Sequence, residues 1–255
     1  MSKIIVGNLK MNLLTIAERD HYIESFERDA KVLAKSDIEI VLCPPSVHLG
    51  KFLEKIRTKN VTIGAQNIFS QERGSFTGEI SSLMIKNLGC QYVIIGHSER
   101  RKYFLETDQI VNAKIKAALQ DKLIPIVCIG ESIEERKAGD TSKIIINQIS
   151  QSLADVPISK IADIVFAYEP VWAVGSDLIP TSDDILKVKI TIKKVLVEKY
   201  GASVAEKVRI IYGGSVNSKT AEEVCLKPQM DGVLVGRESL IPIEFVKIAE
   251  ILNKN

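Results

Sequence analysis

The sequence lacks the features that define several common classes of protein. Its 255 residues include only three histidines and four cysteines, and no two cysteines form a CxxC pair, so a zinc site would need an unusual set of ligands. No apolar run approaches the length of a membrane span, and the first run, residues 4–6, is too short for the apolar core of a signal peptide. The net charge of +2 gives no broad basic field for nucleic acid. We therefore expect a cytoplasmic protein with reduced thiols, without a metal, a cofactor, a nucleic acid partner or a membrane anchor.

Short runs rich in β-forming residues recur along the chain, separated by segments with helical periodicity. The runs cover residues 4–6, 38–42, 61–63, 92–95, 124–129, 164–168, 208–212 and 232–235. They are mostly continuous rather than alternating, which is typical of parallel strands covered by helices. An open doubly wound sheet would be expected to carry a GxGxxG fingerprint after its first strand, but the chain reads GNLKMN there. The sequence therefore predicts an α/β fold, a single (β/α)8 TIM barrel over residues 1–255.

Helical periodicity predicts the elements between these strands. Patterns of this kind cover roughly residues 15–35, 103–120 and 141–153. A longer apolar stripe runs from Ile185 to Leu196. Thr181, with Asp184 three residues later, resembles the capping box that begins a helix, with Asp in place of Glu or Gln. We expect a helix to begin at this threonine.

In such a barrel the functional side chains lie where strands end and loops begin. The first predicted strand is followed by Asn8 and Lys10, which alternate with Leu9 and can point into the same mouth. The fourth is followed by His97, whose position rather than its residue type marks it as a candidate. The sixth ends at Glu169, directly before a PVWAVG segment that suggests a stiff hinge carrying an apolar flap. A flap that covers this carboxylate would exclude water and raise its pKa.

Glycines follow the last two strands, where barrels of this kind commonly bind phosphate. The seventh strand is followed by Gly213, Gly214 and Ser215, and the eighth by Gly236. A single glycine turn is weak evidence for an anion site, because any tight turn uses glycine. Two such turns in adjacent loops favour an anion site. With one carboxylate, one imidazole and one lysine, this site suits proton abstraction next to a carbonyl in a small phosphorylated sugar. No metal is needed if the imidazole, the amide and the lysine stabilise the enediolate.

These residues stand in motifs that resemble those of the triosephosphate isomerase family. The motifs are GNLKMN, GAQN, FTGEIS, IIGHSERR, CIGE, AYEPVWAVG, YGGSV and DGVLVG, in the family's order over nearly the whole chain. The resemblance implies a (β/α)8 barrel, usually a homodimer, with no cofactor. The implied activity interconverts dihydroxyacetone phosphate and glyceraldehyde 3-phosphate through an enediolate.

The resemblance also implies a role for each candidate residue. Glu169 would be the base, His97 the neutral electrophile, and Lys10 and Asn8 their electrostatic partners. The residues implied to support the site are Glu99, Cys128, Glu131, Val174 and Leu234, the last two as an apolar clamp on the base. The residues implied to hold phosphate through backbone N–H groups are Gly175, Ser215 and Gly236. From the long loop after the third strand, Thr77 would reach into the site of a neighbouring subunit.

Three places depart from the family's usual pattern. Leu9 stands where the family usually has a large aromatic residue, residues 175–178 replace the usual flap tip, and Arg237 replaces a second glycine. If its position required a positive φ, Arg237 would cost about 1–2 kcal/mol. With a negative φ, its side chain would either point to solvent or add a contact to the phosphate. An ion pair between Asp177 and Arg237 would offset the repulsion between the flap carboxylate and a dianionic substrate.

Two alternative functions remain open from the sequence. A relative of the family that isomerises a four-carbon ketose phosphate would use the same chemistry, and the smaller Leu9 would leave room near the reacting end. A barrel that binds a sugar phosphate without turning it over belongs to a different class. The presence of all the expected catalytic residues speaks against it.

Overall fold

The chain folds into a closed barrel of eight parallel strands. A computed structural model describes residues 2–175 and 178–253. The strands are β1 Ile4–Asn8, β2 Glu39–Cys43, β3 Val61–Ala65, β4 Tyr92–Ile95, β5 Ile124–Ile129, β6 Val165–Tyr168, β7 Arg209–Tyr212 and β8 Gly232–Val235. Each strand pairs in parallel with the next, and β8 returns to β1. This confirms the predicted (β/α)8 barrel, and each predicted strand differs from the observed one by no more than two residues at either end.

Helices surround the barrel and connect its strands. They are α1 Ile16–Asp29, α2 Leu49–Lys55, α3 Ser82–Leu88, α4 Ser98–Phe104, α5 Asp108–Gln120, α6 Ile133–Lys137, α7 Thr141–Ser152, α8 Ile158–Ile161, α9 Ser182–Tyr200, α10 Ala202–Lys207 and α11 Pro242–Leu252. The predicted helix over residues 15–35 is α1 followed by a short 3-10 segment, and that over 141–153 is α7. The prediction that a helix begins at Thr181 is confirmed, because its side chain caps α9 and accepts a hydrogen bond from Asp184 N.

The prediction of one continuous helix over residues 103–120 is wrong. Helix α4 ends at Phe104 and α5 begins at Asp108. Between them Leu105 has a φ of 55°, in the left-handed region, and Thr107 caps α5 by accepting a hydrogen bond from Ile110 N. The apolar pattern continues through this break, so periodicity alone does not reveal it.

The core has two layers, one inside the barrel and one between strands and helices. Side chains of alternate strand residues point inward, as Ile4 and Val6 do, while Ile5 packs outward under the helices. Both faces of each strand are therefore buried, which explains why the strand sequences are continuously apolar. All four cysteines are buried and unpaired.

Polar side chains close the amino-terminal end of the barrel. The Tyr92 hydroxyl donates to the Glu39 carboxylate, and Arg209 Nη1 lies 2.6 Å from Glu39 Oε2. Arg209 Nη2 also lies 2.9 Å from the Tyr92 hydroxyl. These groups satisfy one another, so the open mouth of the barrel is at the opposite, carboxyl end of the strands. Among the described residues, no helix combines the length and apolar character needed to cross a membrane.

Candidate active site

The side chains that follow the strands converge on one cavity of about 380 Å³ at the carboxyl end of the barrel. The predicted site residues that line it are Asn8, Lys10, His97, Glu169, Val174, Gly175, Ser215, Leu234, Gly236 and Arg237. Glu99 and Cys128 lie behind this lining and contact it. Thr77 does not line the cavity; it lies in an exposed stretch, residues 71–79, of the loop after β3.

Glu169 follows β6 and is almost fully buried, with 2% of its surface exposed. One carboxylate oxygen, Oε1, lies 2.8 Å from His97 Nε2, and the other accepts a hydrogen bond from Ser98 N at 3.0 Å. Its backbone N–H donates to Ile129 O at 2.7 Å, which ties it to the end of β5. The carboxylate is thus held between two strand ends with both oxygens engaged.

His97 caps the amino terminus of α4 with its own ring. Its Nδ1 accepts a hydrogen bond from Glu99 N at 3.3 Å. A ring nitrogen that accepts from a backbone N–H carries no proton, so this contact favours the neutral tautomer with its proton on Nε2, facing Glu169. Burial also disfavours the charged ring, but the Glu169 and Glu99 carboxylates together outweigh burial and raise the pKa of His97.

The contact between His97 and Glu169 raises the pKa of the imidazole and lowers the pKa of the carboxyl. Burial alone would raise the pKa of this carboxyl. His97 and the Ser98 N–H outweigh burial and hold the pKa below its usual range. Next to it, burial and the Glu169 charge hold the pKa of the Cys128 thiol well above its usual range, so this thiol stays protonated.

Lys10 reaches the cavity from a strained turn after β1. Its φ is 52°, a conformation that L-residues rarely adopt, and the turn is held on both sides. Asn8 Oδ1 accepts from Lys10 N at 3.1 Å, and Gln66 Nε2 donates to Lys10 O at 2.9 Å. The ammonium group lies 2.6 Å from Glu99 Oε1, so this carboxylate orients the cation.

The loops after β7 and β8 form the other end of the cavity. Gly213 lies close to the base: a β-carbon there would be 3.1 Å from Glu169 Cγ, so a larger residue would press against the carboxylate side chain. The Ser215 hydroxyl and N–H both donate to Ala173 O, at 2.8 and 3.3 Å. These bonds join the loop after β7 to the segment after β6. An anion that takes the Ser215 N–H would have to replace this carbonyl.

Arg237 begins a short 3-10 helix, Arg237–Leu240, and its φ is not positive. The backbone therefore carries no left-handed strain, and the conformation fits arginine as well as glycine. The side chain is exposed at the cavity rim, and within residues 2–175 and 178–253 no acidic group pairs with it. Asp177, the partner suggested from the sequence, lies outside the described residues.

Glu131 and Trp172 support the site from behind. Glu131 is fully buried, and its Oε1 accepts from Trp172 Nε1 at 3.0 Å and from the Tyr168 hydroxyl at 3.2 Å. Burial raises the pKa of this carboxyl. Glu131 therefore joins the end of β5 to the segment after β6, and its supporting role in the site stays a prediction.

Sequence reasoning missed Gln66 and Ser98. Gln66 directly follows β3, so applying the strand-end rule to every strand would have found it. Ser98 contributes a backbone N–H rather than a side chain, and only the position of α4 reveals that this group points at Glu169.

Comparison with known proteins identifies the family. The family model for triosephosphate isomerase matches residues 3–252, which include every predicted site residue. The chain belongs to the triosephosphate isomerase family. A triosephosphate isomerase from Alkaliphilus metalliredigens (strain QYMF) is 44% identical over 245 residues, covering 96% of this chain and 97% of the relative.

Other relatives in the triosephosphate isomerase family are similarly close. One from Endomicrobium trichonymphae is 42% identical over 247 residues, covering 97% of each chain. One from Dictyoglomus turgidum (strain DSM 6724 / Z-1310) is 43% identical over 243 residues, covering 95% of this chain and 96% of the relative. The similarity therefore extends over the whole barrel rather than over isolated motifs.

Proposed function

We propose that the protein is an isomerase that interconverts dihydroxyacetone phosphate and glyceraldehyde 3-phosphate through an enediolate. The observation that carries this proposal is the contact between Glu169 and His97, two buried side chains 2.8 Å apart in a cavity that Lys10 also lines. A carboxylate base, a hydrogen-bond donor and a cation in one site are what a proton transfer next to a carbonyl requires. The names of the relatives support the same reaction.

Glu169 is the base in this proposal. A substrate that enters between the two side chains separates Glu169 from His97. The carboxylate then loses the imidazole that lowers its pKa but keeps its burial, so its basicity increases. The carboxylate removes a proton from one carbon and returns it to the neighbouring carbon.

His97 is the electrophile that polarises the substrate oxygens. With Glu99 N donating to Nδ1, the ring presents an Nε2–H donor to the developing enediolate. Lys10 supplies positive charge, and Asn8 holds the Lys10 backbone. These groups stabilise negative charge in the transition state without a metal.

The substrate phosphate is held by the loops at the other end of the cavity. We assign this role to the backbone N–H groups of Gly175, Ser215 and Gly236 and to the Arg237 guanidinium. Val174 and Leu234 supply apolar surface next to the base, which limits water around Glu169. Glu99 orients Lys10, and the Cys128 thiol packs against the base.

The protein acts as a homodimer in this proposal, with Thr77 reaching the site of its partner. Residues 71–79 are exposed, and Phe69 and Phe76 pack against each other with ring centroids 4.7 Å apart. The two aromatic rings therefore pack within the loop, while residues 71–79 remain accessible to a partner. Large apolar side chains are also exposed in the loops after β1 and β2, namely Met11, Leu14 and Val47.

The deciding experiment measures isomerisation of dihydroxyacetone phosphate by the purified protein and by Glu169→Gln. We expect turnover, and a fall in kcat of about 10²–10⁴-fold in the variant, because the amide cannot accept the proton. Erythrulose phosphate is assayed in parallel. Preference for the four-carbon substrate would overturn the substrate assignment, and binding without turnover of either would overturn the catalytic one. The relatives' names favour the three-carbon substrate.

A further inference from the structure

Arg136, on the short helix α6, contacts both sides of the segment that follows the catalytic base. Its guanidinium carbon lies 4.6 Å from the centre of the Trp172 ring, just after β6. Its Nη2 lies 2.9 Å from Asp184 Oδ2, in the first turn of α9. A single side chain thus bridges the beginning of this segment and the helix at its far end.

Helix α6 is short, but its amino terminus is capped, so the helix can hold Arg136 in place. Ser132 Oγ accepts from Glu135 N at 3.2 Å, and Glu135 Oε2 accepts from Ser132 N at 2.7 Å, which forms a complete capping box. Arg136 itself is only 30% exposed on its side chain. The guanidinium is therefore preorganised for stacking and for the ion pair.

Trp172 transmits this contact to the active site. Its Nε1 donates to the buried Glu131 carboxylate, and the Arg136 Nη1 lies 3.8 Å from the same oxygen, Oε1. The next residue, Ala173, accepts both hydrogen bonds from Ser215. Holding the indole in place therefore also sets where Val174 and Gly175 lie against the cavity.

We propose that Arg136 is a positioning residue for the isomerisation, acting through Trp172 on residues 170–175. The arginine stacks on one face of the indole while Glu131 binds its edge, so the ring has a single orientation. Asp184 fixes the guanidinium from the other side. This proposal rests on the isomerase function proposed above.

The protein offers a direct readout, because Trp172 is its only tryptophan. The variants Arg136→Gln and Arg136→Lys are compared with wild type by emission spectrum, acrylamide quenching and steady-state kinetics. Arg28→Gln is the matched control, since Arg28 is an exposed arginine in the last turn of α1 that pairs with the neighbouring Asp29. Binding of glycerol 3-phosphate, which has no carbonyl to isomerise, is followed by the same fluorescence.

We expect Arg136→Gln to lower kcat/KM about 3- to 10-fold, in line with the loss of one partly buried cation–π contact. Quenching of Trp172 should increase, and glycerol 3-phosphate should bind more weakly. Arg136→Lys should recover only part of both effects, because lysine keeps the charge but not the planar stack. Arg28→Gln should match wild type.

Two outcomes would overturn the inference separately from the proposed function. If wild type isomerises dihydroxyacetone phosphate and Arg136→Gln keeps its kcat/KM, Arg136 has no positioning role, even if its melting temperature falls. If kcat/KM falls but Trp172 quenching and glycerol 3-phosphate binding stay at wild-type values, the effect does not pass through Trp172. Absence of activity in wild type would instead reject the isomerase function, and with it the reaction that Arg136 would serve.

Discussion

At the residue scale, the chemistry of Glu169 and His97 is set by what each side chain touches. In both groups, burial and the contacts with neighbouring groups shift the pKa in opposite directions, and the contacts together have the larger effect. The carboxylate is therefore kept ionised at its resting position, next to a ring whose backbone contact favours the neutral form. In the proposed mechanism, entry of a substrate separates the carboxylate from His97 and reverses this balance, which would make Glu169 more basic.

The variant His97→Gln tests this balance through the pH dependence of kcat/KM. Glu169 must be ionised to act as a base, so activity is lost as the pH falls through its pKa in the free enzyme. Without His97, burial remains and the pKa rises, so the acidic limb should move to higher pH, with kcat about 10²–10³-fold lower. His21→Gln, at an exposed position in α1, is the control. An acidic limb that stays in place would contradict the assigned coupling.

Arg237 is tested by its effect on substrate binding. Because the side chain is exposed, Arg237→Ala should raise the KM for dihydroxyacetone phosphate only about 2- to 5-fold, with little change in kcat, and should weaken the dependence of KM on salt. Lys219→Ala removes the same charge from an exposed position outside the cavity lining and serves as the control. Equal KM values for the two variants would show that Arg237 points to solvent.

At the scale of the element, α9 shows how a helix start serves the site. Thr181 caps it as predicted, and its side chain accepts a hydrogen bond from Asp184 N. The Asp184 carboxylate contacts Thr181 and also lies 2.9 Å from Arg136 Nη2. Burial alone would raise the pKa of Asp184, but its contacts with Thr181 and Arg136 together outweigh burial and lower this pKa.

Removal of the α9 cap should destabilise the whole helix. We expect Thr181→Ala to lower the free energy of unfolding by about 1 kcal/mol, because the Asp184 N–H loses its acceptor. Thr191→Ala makes the same change within the same helix, where the hydroxyl only bonds back to Lys187 O, and should have little effect. Urea unfolding monitored by circular dichroism gives both values. Equal destabilisation by the two variants would contradict the capping role.

At the scale of the whole molecule, the two ends of the barrel differ: one is closed by paired polar groups, and the other holds the candidate active site. The Glu39, Tyr92 and Arg209 cluster closes the amino-terminal end with mutually paired groups. The carboxyl end keeps an open cavity and a strained lysine. The exposed loop after β3 and the exposed apolar side chains of the first loops then leave a surface that the proposed homodimer would cover.

The homodimer is tested by sedimentation velocity on wild type and Thr77→Arg. Wild type should sediment as a dimer, and the variant should shift towards the monomer with lower kcat/KM, because a charged side chain would have to be buried against the partner. Ile190→Arg, at an exposed position on α9, should leave the dimer intact. A monomeric wild type, or an unaffected Thr77→Arg dimer, would reject the assigned interface.

Much of the site could be predicted from the sequence because parallel strands are buried on both faces. Continuous apolar runs marked all eight strands, and the polar residue after a run marked Lys10, His97 and Glu169. The break at Leu105 was missed, because a left-handed backbone at a leucine leaves no mark in the apolar period. Gln66 was missed because the strand-end rule was not applied to β3.

The sequence by itself determined the alternation of strands and helices, the closed barrel and which residues stand at its mouth. These follow from local hydrophobic patterns and from the geometry of parallel strands. Only the tertiary structure decided that Glu169 meets His97 at 2.8 Å, that Ser98 N–H holds the carboxylate, and that Arg136 stacks on Trp172. Such contacts join groups from different loops, and their distances depend on how the closed barrel sets one strand end against the next.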